Sequence, residues 1–294
     1  MAPFSQTGLA HVLLTKFNVP MQDDARHLDI EWIARRIDLL ERHAAPSVHL
    51  QTAPFDGWLL LCDCDTPLRG RQLISAAAER TGCSPIWLER GEGLATVGEH
   101  LRALIEPTAS HLLTSRLDSD DALHRDFSRA VRSSVVSGFV GYINPLLGLH
   151  YLDAKLYIWP YFASNFISYV APLDGARPRT VVDISHDEIY RRGRVRQIVT
   201  RPLWLVVTHG ANTSTIRQRG IRIRGRHASE FPLLARLEIE PDPSPPVLTA
   251  RQAQDFARLA WKALRGQSRQ RVIGGLMSAW SQLSERHQTG DRSK

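Results

Sequence analysis

His111-Leu-Leu-Thr-Ser-Arg116-Leu-Asp118-Ser-Asp120-Asp121-Ala-Leu123 is the stretch whose reading decides the fold. An apolar run of strand length ends here in three carboxylates within four residues. Crowded carboxylates repel one another and lose hydration when enclosed, so a fold that gathers them at a strand end generally supplies a cation. Hard divalent ions such as Mg²⁺ and Mn²⁺ take oxygen ligands of this kind and share them with substrate phosphates. The competing reading is a helix cap. Leu123 to Val135 carries apolar residues at helical spacing, and acidic groups favour a helix N-terminus.

Working upstream, short apolar runs alternate with helical patterns. His11 to Phe17 reads as a strand that leads to Asn18-Val-Pro20. Leu28 to His43 is an amphipathic helix ended by Ala44-Ala-Pro46, and Ser47 to Gln51 is a second short strand. Trp58 to Cys62 is more continuously apolar, which suits a strand buried on both faces, and it runs into Asp63-Cys-Asp65-Thr-Pro67. Arg69 to Arg80 is a helix stopped by Thr81-Gly82, Pro85 to Glu89 a strand, and Thr96 to Glu106 a helix. Such alternation predicts a parallel, layered α/β sheet, whose ligands gather at the carboxyl ends of its strands. Three strand ends carry polar groups: Lys16 with Asn18, Asp63 with Asp65, and Asp118 with Asp120 and Asp121. Asp65 equally suits a cap on the helix that follows it.

Downstream the character changes. Ser137 to Ile143, Tyr151 to Trp159 and Phe166 to Pro172 are aromatic-rich runs that read as antiparallel strands. Thr180 to Ile184 and Leu203 to Thr208 are further strands, the latter stopping at His209, and Phe231 to Ile239 is a late one. Pro241 to Pro246 reads as a stiff linker, and Thr249 as the N-cap of a helical tail interrupted at Gly274-Gly275. The organisation expected is a main domain over 1–246, with halves of about 1–135 and 136–246, and a helical extension over 247–294.

The 294 residues are 43% hydrophobic and 23% charged, which is the composition of a globular protein with ample core. No apolar run approaches the roughly 20 residues that cross a bilayer, and Met1 to Ala10 has no signal-peptide pattern. Three cysteines at 62, 64 and 83 suit a reduced, cytoplasmic setting. The net charge of +7 is carried by arginine blocks at 191–201 and 217–226, pointing to an anionic partner. Interleaved aromatics of a nucleic-acid reader are missing, so no nucleic acid is expected. Peripheral contact with anionic membrane at the inner face stays open through the basic tail with Trp261 and Trp280.

The order of these parts resembles the GT-A glycosyltransferases, and four blocks sharpen the likeness. Leu13-Leu-Thr-Lys-Phe-Asn18, Trp58 to Pro67, Thr114 to Leu123 and Trp204 to Asn212 resemble successive blocks of the bacterial rhamnosyltransferase family, from about residue 11 to 225. The resemblance implies a GT-A-like three-layer α/β/α sandwich with a mixed sheet, plus C-terminal helices outside the likeness. It implies transfer of a sugar, rhamnose by the family label, from a nucleotide-diphosphate donor to a saccharide, lipid-linked saccharide or other hydroxyl acceptor. By that likeness Asp120 and His209 would hold Mn²⁺ or Mg²⁺, with Asp118 reaching the metal or the donor ribose. Asp63 and Asp65 would lie near the nucleoside, Lys16 and Asn18 in the same pocket, and Arg116 at the phosphates. Asp121 would support the metal or face the acceptor.

An inverting transfer also needs a base for the acceptor hydroxyl. Asp187 and Glu188 are the nearest candidates, with His186 beside them able to contact phosphate. Two rival classes stand beside this reading, the first on the same carboxylates. A metal-dependent phosphohydrolase or nuclease would want several dispersed carboxylates for two ions, whereas one tight cluster suits a single ion. A non-catalytic polyanion-binding protein would use the arginine blocks alone.

Overall fold

The structure is a computed structural model, and it describes residues 8–19, 25–89, 94–105, 108–174, 177–209, 218–224 and 230–264. The first half runs β1 (Leu9–Lys16), α1 (Ile30–Leu39), a π-helical turn (Leu40–Ala44), α2 (Ala45–His49), β2 (Gly57–Asp63) and α3 (Leu68–Thr81). It continues with β3 (Ser84–Leu88), α4 (Val97–Leu104) and β4 (His111–Arg116). The second half holds β5 (Ala122–Leu123), α5 (Phe127–Ser134), β6 (Gly141–Pro145), β7 (Leu147–Leu152), β8 (Lys155–Pro160) and β9 (Ser168–Pro172). After these come α6 (Ile189–Arg192), β10 (Val195–Ile198), β11 (Trp204–Val207), β12 (Ile221–Arg222) and α7 (Pro245–Leu264).

Seven strands form one mixed sheet in the order β10-β6-β9-β4-β1-β2-β3. β3, β2, β1 and β4 are parallel, and β9 runs against both β4 and β6. Strand alternation divides the apolar residues between two faces. Leu13, Leu60, Cys62 and Leu113 pack with Ile33, Ile37, Ile74 and Phe127 of α1, α3 and α5. Val12, Leu14, Leu59, Leu61 and Leu112 pack on the other side with Val97 and Leu101 of α4 and Ile189 of α6. Helices thus cover both faces, which is the three-layer α/β/α sandwich that the resemblance implied.

A second, five-stranded sheet runs β12-β8-β7-β11-β5. One of its faces buries Ala122, Leu149, Leu156, Leu205 and Val207 under Phe231, Leu233 and Leu234. On the other, the Trp204 indole lies over Gly148, where any Cβ would collide with the ring. Phe166 stacks on Trp204 with 5.0 Å between centroids, and the indole Nε1 donates to Pro145 O at 2.8 Å. This hub joins the two sheets.

Several expectations are corrected. Ser47 to Gln51 is not a strand: the helix continues through the π-helical turn into α2, with Pro46 at the junction between the two. Leu123 pairs with Trp204 in β5, so the helix expected from Leu123 begins only at Phe127, with Asp126 at its N-cap. Tyr151 to Trp159 is two strands, because Asp153 and Ala154 both take positive φ (48° and 58°) and turn the chain into a hairpin. Thr180 to Ile184 is a turn held by Asp183, which accepts from the Thr180 N–H and hydroxyl, while Val181 N–H goes to Thr114. Phe231 to Ile239 contains a 3-10 helix at Pro232–Arg236 rather than a strand. α7 starts at Pro245, so Thr249 lies one turn inside, its hydroxyl donating to Pro245 O at 2.9 Å. The tail expected beyond residue 264, with Gly274-Gly275 and Trp280, lies outside the described residues. Among the described residues no helix is long and apolar enough to cross a membrane.

Candidate functional site

β1, β2 and β4 are parallel neighbours, so their carboxyl ends open on one side of the sheet and bring the three expected polar groups together. Asn18 is buried and fully engaged. Its Nδ2 donates to Thr66 Oγ1 at 2.8 Å and to His27 O at 3.2 Å, and its Oδ1 accepts from Asp63 N–H at 3.3 Å. Asp63 is also committed, with His27 Nε2 at 2.9 Å and Asp65 N–H at 2.8 Å. Asp65 itself is exposed, and it does not cap α3, which has Pro67 at its N-cap and no side-chain cap bond. Ligand-type atoms of Asp63, Cys64 and Asp65 lie within 4.8 Å of one another. Arg71 braces this turn by donating to Thr66 O and Cys64 O.

At the end of β4, Arg116 holds Asp118 through both carboxylate oxygens, at 3.0 and 3.1 Å. Lys16 stands beside that pair. Burial, then the Arg116 charge, bring its pKa down to about 8, against the pull of Asp118. The acidic turn that follows caps no helix. Asp121 N–H closes it on Asp118 O at 3.2 Å, and β5 comes next.

Asp120 is 8% exposed and receives two cationic or polar partners on one oxygen. Arg36 Nη1 of α1 lies 3.1 Å from Oδ2, and His209 Nε2 lies 3.3 Å from the same atom. Burial alone would raise the Asp120 pKa, but the His209 bond and the Arg36 charge outweigh it and hold the carboxyl at about 2. His43 Nδ1 donates to Asp120 O at 2.8 Å, and its ring stands 6.3 Å from that of His209. Asp121 has another role: its Oδ1 accepts Val207 N–H at 3.1 Å, which pins β11, and hence His209, to the acidic turn. Its own pKa is driven well up by burial and by the charges of Asp120 and Asp118.

The structure therefore places Lys16, Asn18, Asp63, Asp65, Arg116, Asp118, Asp120 and Asp121 along one sheet edge, with His209 brought in by β11. Asp118 is turned to Arg116 rather than gathered on the Asp120–His209 contact. Asp187 and Glu188 sit on the short turn before α6, where Asp187 Oδ1 is 3.4 Å from His186 Nδ1 and Glu188 is 3.8 Å from Arg192. The His186 ring meets Tyr161 edge-on at 6.0 Å. Sequence reasoning missed Arg36 and His43. Seven residues apart on a helical pattern, they share a side, but their spacing names no partner across 77 residues or more.

An ionised carboxylate beside an imidazole fits a hard divalent ion by donor chemistry, and the Arg36 guanidinium stands on that same carboxylate oxygen. No curated protein matches the chain. Among solved structures, fragment 1-349 of TarS from S. aureus superposes with a TM-score of 0.38 at 11% identity, covering 67% of this chain and 60% of that one. The chain thus spans three-fifths of that fragment. Its complex with UDP gives 0.38 and 11% over 84% and 70% of the two chains. A mannosyltransferase, PcManGT from Pyrobaculum calidifontis, solved with GDP-Man and Mn²⁺, gives 0.36 and 15% over 95% and 90%. The family profile described as "Putative rhamnosyl transferase" matches residues 20–220, more than half of the chain, and the chain belongs to that family.

Proposed function

We propose that the chain transfers a sugar from a nucleotide-diphosphate donor to the hydroxyl of a saccharide or lipid-linked saccharide, with rhamnose as the sugar. The observation that carries this reading is the convergence of cations and carboxylates on one strand edge, with Asp120 and His209 sharing an oxygen contact. Lys16 and Arg116 take the donor phosphates, and the exposed Asp65 takes the nucleoside, with Asp63 and Asn18 fixing the turn that presents it. Asp120 and His209 would hold a divalent ion, with Asp118 joining them on release from Arg116, and such an ion would supply positive charge to the diphosphate leaving group. Asp121 is a positioning residue, since its buried carboxyl holds β11 in place. Asp187 or Glu188 receives the acceptor proton.

The test is Asp120→Asn. Titration calorimetry with a panel of nucleotide-sugars and Mn²⁺ should show donor affinity falling at least tenfold while the circular dichroism spectrum is unchanged. Equal donor affinity in the variant sinks the metal assignment. A second reading has its own observation. Arg36 already meets the charge of Asp120, and in this reading a guanidinium rather than an ion serves the diphosphate in a metal-free transfer. That reading gains if turnover persists in excess EDTA and disappears in Arg36→Ala.

A further inference from the structure

α7 packs against β12 at the outer edge of the second sheet, and a cavity of about 690 Å³ lies between them. Its walls are charged. β8 contributes Lys155 and Tyr157, and β12 contributes Arg222. α7 contributes Arg251, Gln254, Asp255 and Arg258, whose spacing puts them on one helix face.

Asp255 explains how the helix docks. Its buried carboxylate accepts from Arg222 N–H at 3.0 Å, Gln218 Nε2 at 2.8 Å and Arg258 Nη2 at 2.9 Å. Lys155 is paired with Glu240 at 2.9 Å and Asp153 is a second carboxylate of the wall, so the cations left over are Arg222 and Arg251. Arg222 is only 3% exposed, yet its guanidinium makes no ion pair and its Nε has no hydrogen-bond partner. Its Nη1 reaches Leu156 O at 3.5 Å, and the Tyr157 ring lies 5.8 Å from its charge centre. Arg251 is exposed on the helix, and its charge is felt by Glu240 without a direct ion pair among the described residues. Buried guanidinium groups are normally paired, and their planar fork matches a carboxylate or phosphate.

We propose that this cavity binds the phosphate or carboxylate group of an acidic saccharide. Gln218, Gln254 and the Tyr157 hydroxyl, all in its wall, supply hydrogen bonds of the kind sugar hydroxyls need. Its place in the fold links it to the acidic turn. Thr208 N–H donates to Tyr151 O at 2.9 Å, so His209 leaves the sheet beside Leu152, which is part of the cavity wall. β12 and β11 are three strand places apart, roughly 14 Å. An acceptor a few sugar units long can be anchored here by its charge while a hydroxyl reaches Asp120 and His209. The acceptor role rests on the glycosyltransferase reading; the anion site itself does not.

The test uses the full chain in excess EDTA without donor. Glucuronate and glucose 1-phosphate should bind by calorimetry, and neutral glucose should not. Arg251→Glu, which changes an exposed position, should weaken binding at least tenfold with the fold intact by circular dichroism. Arg222→Lys keeps the charge but loses the fork and should weaken it as well. Arg116→Ala, in the donor pocket, should leave it unchanged. Binding that survives Arg251→Glu, or that is lost in Arg116→Ala, overturns the proposal. So does inorganic phosphate binding as tightly as glucose 1-phosphate, which would mean that no sugar is read. Retention on phosphatidylglycerol vesicles without binding of either acidic sugar overturns it in favour of a lipid headgroup. Acidic-sugar binding in a protein that turns over no nucleotide-sugar would reject the glycosyltransferase reading and leave this site standing.

Discussion

Lys16 titrates nearer neutral pH than an ordinary lysine. Burial and Arg116 hold its pKa at about 8, below the ordinary 10.5. A lysine that serves phosphates must be protonated, so donor affinity should fall between pH 7 and 9 and stay flat in Lys16→Arg, as measured by calorimetry. Stability runs the other way. The unfolded chain keeps this proton up to the ordinary value while the folded chain releases it near 8, so Lys16 costs stability below pH 8 and that cost fades as pH rises toward 10.5. Chemical denaturation of wild type and Lys16→Met across that range checks the sign. At this scale the sequence located residues that follow their own strand end, as with Asp63, Asp118 and Asp120, without telling which neighbour each would face. It was blind to Arg36 and His43, which act across the fold from α1 and the π-helical turn.

Elements were legible where periodicity did the work. α3 ends as expected at Gly82, which takes φ 67°, the left-handed conformation glycine tolerates best. They were illegible where side chains or unusual dihedrals decide. The β7–β8 hairpin turns on Asp153-Ala154, a pair without the glycine that marks such turns in sequence. Ala154 at φ 58° carries a Cβ in left-handed backbone, so Ala154→Gly should stabilise the protein by about 1 kcal/mol in urea titrations. The hub between the sheets predicts the opposite outcome. Gly148→Ala drives a methyl into the Trp204 ring, and overpacking of this kind costs about 1–3 kcal/mol. A urea midpoint no lower than wild type would show that the indole can move aside.

For the whole molecule, the alternation of strands and helices up to residue 116 carried the parallel sheet, because each strand's apolar run matches burial on two faces. The second sheet was harder to see: its strands are short, and β5 and β12 are two residues each. The same burial that builds the two sheets also encloses His11, His43, His124 and His150, lowering the pKa of each, that of His150 to about 4. The unfolded chain would charge these rings near pH 6.5, whereas the folded one resists. Their contribution is therefore neutral to stability above 6.5 and increasingly unfavourable as pH falls toward 4. The denaturant midpoint should drop steadily over that interval, and a midpoint constant from pH 7 to 5 would contradict it.

The π-helical turn at Leu40–Ala44 has a consequence for this architecture. Each residue of an α-helix advances the side-chain direction by about 100°, so one residue of slack between α1 and α2 works as a phase shifter. Upstream of it the rod shows Ile33 and Ile37 to the sheet and Arg36 to Asp120. Downstream, Gln51, just past α2, is aimed at His124 O and Ser128 N–H. Removing one residue from that turn would bring the two helical segments into a single phase, and the rod could then serve only one of its two clients.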